Sequence, residues 1–171
     1  AMTYASVLRG LTKSMDNSRL ASERVATAER WRGVAQVASS ISYSMAIAES
    51  AEQAASYMVR LKEAQGRSTE AQKRLDDIAN SPEDQAAFDA ISAAREKVLK
   101  LSARITELKK AGDAAGVKTL LENEHLPAVA VYLGTIDKFV ELQHKQQDEA
   151  DAEAMSKLRT QTTIGIVIVL V

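Results

Sequence analysis

The chain has no cysteine, and only two prolines and seven glycines in 171 residues. Without thiols it can form no disulfide, no thiolate metal site and no cysteine nucleophile, and it suits a reducing or an oxidising compartment equally. With so few breakers, long stretches carry nothing to interrupt a helical hydrogen-bond ladder. Aromatic residues are also scarce, at two Phe, four Tyr and one Trp. Neither sign of charge predominates: 22 basic residues face 23 acidic ones, for a net charge of -1. A nucleic-acid partner would require a basic stripe with stacking aromatics, and the sequence has neither. Glycine-rich phosphate loops and nucleophile motifs are missing, so the chain reads as a non-enzyme. His125 and His144 lack an acidic partner pattern, which argues against zinc. Both are expected at the surface, and no metal or cofactor is expected.

What remains is rich in Ala, Leu, Glu, Lys, Gln and Arg, residues that lose little freedom in a helix. β-branched runs of the kind that build strands begin only at Ile164. The fold class is therefore expected to be all-α. Three start signals divide the chain. Ser50-Ala51-Glu52-Gln53 fits a capping box. Ser81-Pro82-Glu83-Asp84 puts a cap residue before a proline at the first helical position, with acids in the first turn. Gly112-Asp113 offers a left-handed helix terminator followed by a new cap, and Lys109 and Lys110 suit the end of the preceding helix. These signals predict helices at about 3–49, 51–80, 82–111 and 114–161, the middle two roughly 45 Å long. Short turns between rods of matched length imply an antiparallel up-down-up-down four-helix bundle over residues 1–161, with long first and last helices. The abrupt change to uncharged, Ile/Val-rich sequence over 162–171 is expected to start a second transmembrane helix.

Apolar stripes support the division. They run through Val34, Ala38, Ile41, Met45 and Ala48, then Met58, Leu61, Leu75 and Ile78, then Phe88, Ile91, Val98, Ile105 and Leu108. The last helix has two neighbouring stripes, one through Ala128, Val131, Phe139 and Leu142, the other through Val129, Leu133, Ile136 and Val140. The second stripe is either a surface for a partner chain, giving a homodimer, or part of one wide core-facing face.

The run Asp113-Ala114-Ala115-Gly116-Val117-Lys118-Thr119-Leu120-Leu121, with Leu126-Pro127-Ala128, Tyr132, Asp137 and Val140-Glu141-Leu142-Gln143, resembles the closing helix of one family. The family is that of the methyl-accepting chemotaxis proteins, whose sensor domains are four-helix bundles. Glu29-Arg30-Trp31-Arg32-Gly33-Val34 is similar to their first helix. The resemblance spans the chain but rests on diffuse periodicities. It implies a periplasmic homodimer anchored in the bacterial inner membrane by flanking helices, with a signalling domain beyond them. It also implies a ligand bound at the membrane-distal half of the dimer interface and a small shift of the last helix. Sensor histidine kinases carry the same kind of bundle, and a structural bundle without a small ligand is the further rival. In one respect the sequence departs from the family. The amino-acid-sensing members hold ligand carboxylates with arginines on the distal part of the first helix. Here Val34 to Ala48 contains no arginine, but Ser39, Ser40, Ser42, Tyr43 and Ser44 instead. That site does not transfer.

A different group gathers within about three helical turns of the distal ends: Ser42, Tyr43, Tyr57, Arg60, Arg104, Thr119 and Asn123. Guanidinium forks match carboxylates in two bonds, so this level suits a small organic acid of C4 to C6 size; the alternative is that Arg60 and Arg104 lie on solvated faces. Arg95 is the second candidate. The stripe of the third helix turns it inward, near the level of Gln65 and Ser68, where it either fixes register in a polar layer or floors a ligand cavity with Tyr132 or Thr135. Pro127 inside the last helix is expected to bend or break it near Asn123.

Overall fold

A computed structural model of the protein describes the backbone of residues 4–169 and the side chains between Ala5 and Thr160, Val7 excepted. The described residues are all-α, with no strand. Helix α1 spans Tyr4–Ile47, α2 Ala51–Ile78, α3 Pro82–Lys110 and α4 Ala114–Leu120. A π-helical turn, Leu121–His125, joins α4 without a break to α5, Leu126–Val169.

The expected start signals act locally. The Ser81 hydroxyl accepts the Asp84 amide at 3.1 Å, and the Asp84 carboxylate accepts the Ser81 amide at 3.0 Å. Each side chain thus satisfies an amide that a helix start leaves without a partner. At Ser50 only half of this arrangement forms. Its hydroxyl accepts the Gln53 amide, but the Gln53 side chain accepts the amide of Glu49, one residue outside the cap. At the end of α3, Gly112 takes φ +73, the left-handed region where a side chain is disfavoured. The amides of Gly112 and Asp113 fold back onto the carbonyls of Lys109 and Leu108. Asp113 then caps α4 by accepting the Gly116 amide at 2.8 Å.

The expected break at Pro127 takes the form of the π turn. A proline ring collides with the carbonyl four residues back, here that of Asn123, and supplies no amide of its own. The wider turn avoids the collision, with the Leu126 amide bonding the Leu121 carbonyl five residues back.

The chain divides into two compact units, one of residues 1–26 with 141–171, the other of residues 27–140. In the first, Ala21, Val25 and Ala154 are buried together with polar Ser14 and Gln143. The Ser18 hydroxyl donates to Asp151, and the Gln147 amide donates to the Ser22 hydroxyl at 3.0 Å. The second unit has two clusters. Trp31, Leu75, Phe88, Ile91, Tyr132, Ile136 and Phe139 centre the larger, and Ala46, Leu101, Ile105, Val117, Leu120, Leu121 and Ala128 form the other. The Trp31 ring lies 6.3 Å from that of Phe88 and 6.1 Å from that of Phe139, centroid to centroid. Its indole N–H donates to the buried Ser68 hydroxyl at 2.9 Å, so burial of the ring strands no polar group.

Two expectations, the burial of Met58 and the exposure of His125, need revision. The α2 stripe is buried at Leu75 and Ile78, but Met58 is 47% exposed; the buried positions are small ones, Ala64, Ser68 and Ala71. Of the two stripes of the last helix, Ala128, Phe139, Ile136 and Val140 are buried within the chain, as is Tyr132 between them, whereas Val131 is 62% exposed. His125, expected at the surface, is 1% exposed, because the π turn rotates it inward. The expected membrane segment at 162–171 is helical to Val169, but Leu170, Val171 and the side chains from Gln161 onward lie outside the described residues. Among the described residues no helix is long and apolar enough to cross a membrane.

Candidate functional site

Two cavities in the second unit share Ser42, Met45 and Ser102 as walls. The larger, about 340 Å³, is lined mainly by Met45, Ala46, Ala54, Ala55, Met58 and Ile105. Ser102, Thr106, Lys109, Lys110 and His125 add polar groups to it. The smaller, about 120 Å³, lies among Ser39, Ser42, Gln65, Ser68, Arg95, Ser102 and Tyr132.

Most polar groups of the larger cavity are already engaged. The Ser102 hydroxyl donates to the Val98 carbonyl at 2.9 Å, so the His125 Nε2, 3.0 Å away, carries the proton and donates to the Ser102 oxygen. The other ring nitrogen of His125 is buried without a partner. The Thr106 hydroxyl donates to the Ser102 carbonyl. The Lys109 ammonium donates to the carbonyls of Met45 and Ala48, at 2.9 and 3.0 Å. Helix α1 has no basic residue in its own last turn, and Lys109 of α3 supplies the cation that the negative end of a helix favours. Lys109→Met is expected to loosen the turn between α1 and α2, costing about 1 kcal/mol. Faster hydrogen exchange of the 48–53 amides, with core amides unchanged, is the expected readout.

Burial holds the His125 pKa below its ordinary value, because a charged ring there loses its hydration. The folded state therefore prefers the neutral ring. The stabilisation is complete above the unfolded pKa of about 6.5 and is lost as pH falls from there toward the depressed folded value. A melting temperature that drops as the pH falls below about 6.5, with the drop diminished in His125→Gln, is the expected outcome.

The smaller cavity has one strong cation. Arg95 is half-buried and makes no hydrogen bond or ion pair among the described residues. Burial raises the pKa of the neighbouring Tyr132 phenol, and the Arg95 charge pulls it partly back. Gln65, Ser68 and Tyr132, the residues expected at the level of Arg95, share its cavity; Thr135 is not among them, and its hydroxyl bonds the Tyr132 carbonyl.

The remaining candidates disperse. Ser42 lines both cavities. Tyr43 lines a separate depression with Glu49, Lys109 and Glu122, and Tyr57 another with Ser44 and Gln53. Arg60, Arg104, Thr119 and Asn123 are exposed and line none of these cavities. Counting residues from the turns gives height along a rod but not the direction a side chain faces. The sequence does not single out Lys109 or His125 as wall residues of a cavity; the apolar positions at 101, 105, 117, 120 and 121 are the available signal.

No family model matches the chain, and no curated protein is significantly similar to it in sequence.

Proposed function

We propose that this chain is the extracytoplasmic sensor domain of a bacterial chemoreceptor that binds a small organic acid. The helices form an up-down-up-down bundle, in keeping with α2 and α3 of 28 and 29 residues and with turns of a few residues between long rods. The domain lies in the periplasm, works as a homodimer, and is tied to the inner membrane by helices flanking it, as its resemblance to chemotaxis receptors implies. The observation that carries the ligand assignment is Arg95. A half-buried guanidinium without an ion partner, in a cavity ringed by serine hydroxyls, the Gln65 amide and the Tyr132 phenol, supplies what a carboxylate needs. Binding acts by population shift, and its effect on α5 is limited by the ligand's differential affinity for two packings of the helices.

A thermal-shift screen of organic acids tests this. An acid that binds only the folded state, at a hundred times its dissociation constant, stabilises by about 2.7 kcal/mol. A clear rise in melting temperature with at least one carboxylate is expected. A flat screen would favour a structural bundle.

A further inference from the structure

We infer that the acid is a monocarboxylate with an apolar body, such as an arylacetate or a branched short-chain acid, and not a di- or tricarboxylate. This rests on the organic-acid reading of the Arg95 site and names the class of ligand that site takes. The two cavities are neighbours with Ser42, Met45 and Ser102 as common walls, and we place the carboxylate at Arg95 with the ligand's body reaching past these side chains toward the larger cavity.

That larger space offers little to a second charge. The hydroxyls of Ser102 and Thr106 already donate to backbone carbonyls, and two of the three Lys109 protons go to the carbonyls of Met45 and Ala48. His125 is neutral and spends its proton on Ser102. Lys110 is exposed, on the solvent side. A second carboxylate pushed inward would lose hydration without gaining a partner. An apolar group, by contrast, gains about 25 cal/mol for each Å² removed from water. The walls suit such a group: Met45 and Met58 are unbranched and adapt to irregular shapes, while Ala46, Ala54 and Ala55 leave room. The space is open to solvent on the side where Ala55, Met58, Thr106 and Lys110 are exposed, and its volume of about 340 Å³ leaves room for a group of phenyl size.

Isothermal titration at pH 7.5 compares phenylacetate, 3-phenylpropionate and isovalerate with succinate, malate and citrate, on the unaltered protein, Arg95→Met and Met58→Asp. Expected is at least one apolar monocarboxylate binding ten or more times tighter than every polyacid. Met58→Asp, at an exposed wall position, should weaken that acid about tenfold, and Arg95→Met should remove binding. Circular dichroism confirms that each variant is folded. Polyacids binding as tightly as the monocarboxylates, with Arg95→Met abolishing both, would overturn the apolar-body inference and leave the Arg95 site standing. Binding that survives in Arg95→Met, or no binding by any of the six acids, would overturn the site assignment itself and the inference with it.

Discussion

Trp31→Ala is expected to lower the unfolding free energy by about 3–5 kcal/mol, the range for deleting a large aromatic from a packed core. For a domain whose total stability is about 5–15 kcal/mol, that change approaches loss of the fold. The cost follows from where the ring sits. It is 1% exposed and packs against Phe88 and Phe139, whose own centroids are 4.8 Å apart. Its N–H is also the donor for Ser68. Trp31→Phe separates the two contributions. It keeps most of the apolar contact but leaves the Ser68 oxygen without its donor, a loss of about 1–3 kcal/mol when the group stays buried. A double variant, Trp31→Phe with Ser68→Ala, should recover part of that loss, because both polar partners are then gone. Urea unfolding followed by circular dichroism measures all three.

Arg95→Met is expected to behave in the opposite way, leaving the fold intact and removing the function. Replacing a half-buried, unpaired cation with an apolar side chain of similar length is neutral or stabilising. Truncating one partner of a buried, hydrogen-bonded charge pair costs about 2 kcal/mol or more, so acid affinity should fall at least about thirtyfold. Arg95→Lys keeps the charge but loses the planar fork, and an intermediate affinity is expected. Arg60→Ala and Arg104→Ala, on exposed positions, should bind the acid normally if Arg95 is the anchor. These comparisons need titration of each variant beside its unaltered melting curve.

The contrast between these two residues shows what the sequence could and could not convey. Helix ends were legible because their chemistry is local. Ser81, Asp84, Gly112 and Asp113 satisfy backbone groups a few residues away, and each does what its type suggests. Arg95 was legible as an inward residue because its position on a 3.6-residue period depends only on its own helix. The sequence marks Trp31 only as part of a resemblance, and its place as the hub of the core depends on Phe88 and Phe139, which only the tertiary packing brings to it. The same limit explains Arg60 and Arg104. Their height along the rods was readable, but one residue corresponds to about 100° around a helix, enough to turn a side chain from cavity to solvent. His125 combines both difficulties. The proline two residues on signalled a disturbance, but that the helix would answer with a π turn, and so carry the imidazole inward against Ser102, depends on packing around Leu120 and Leu121.

A structure of the protein crystallised with a bound acid from the titration series tests the account most directly. The carboxylate is expected within about 3 Å of the Arg95 guanidinium, with the ligand body among Met45, Met58 and Ile105. A carboxylate held instead by Arg60 or Arg104 at the surface, with the space beside Arg95 filled only by water, would contradict it.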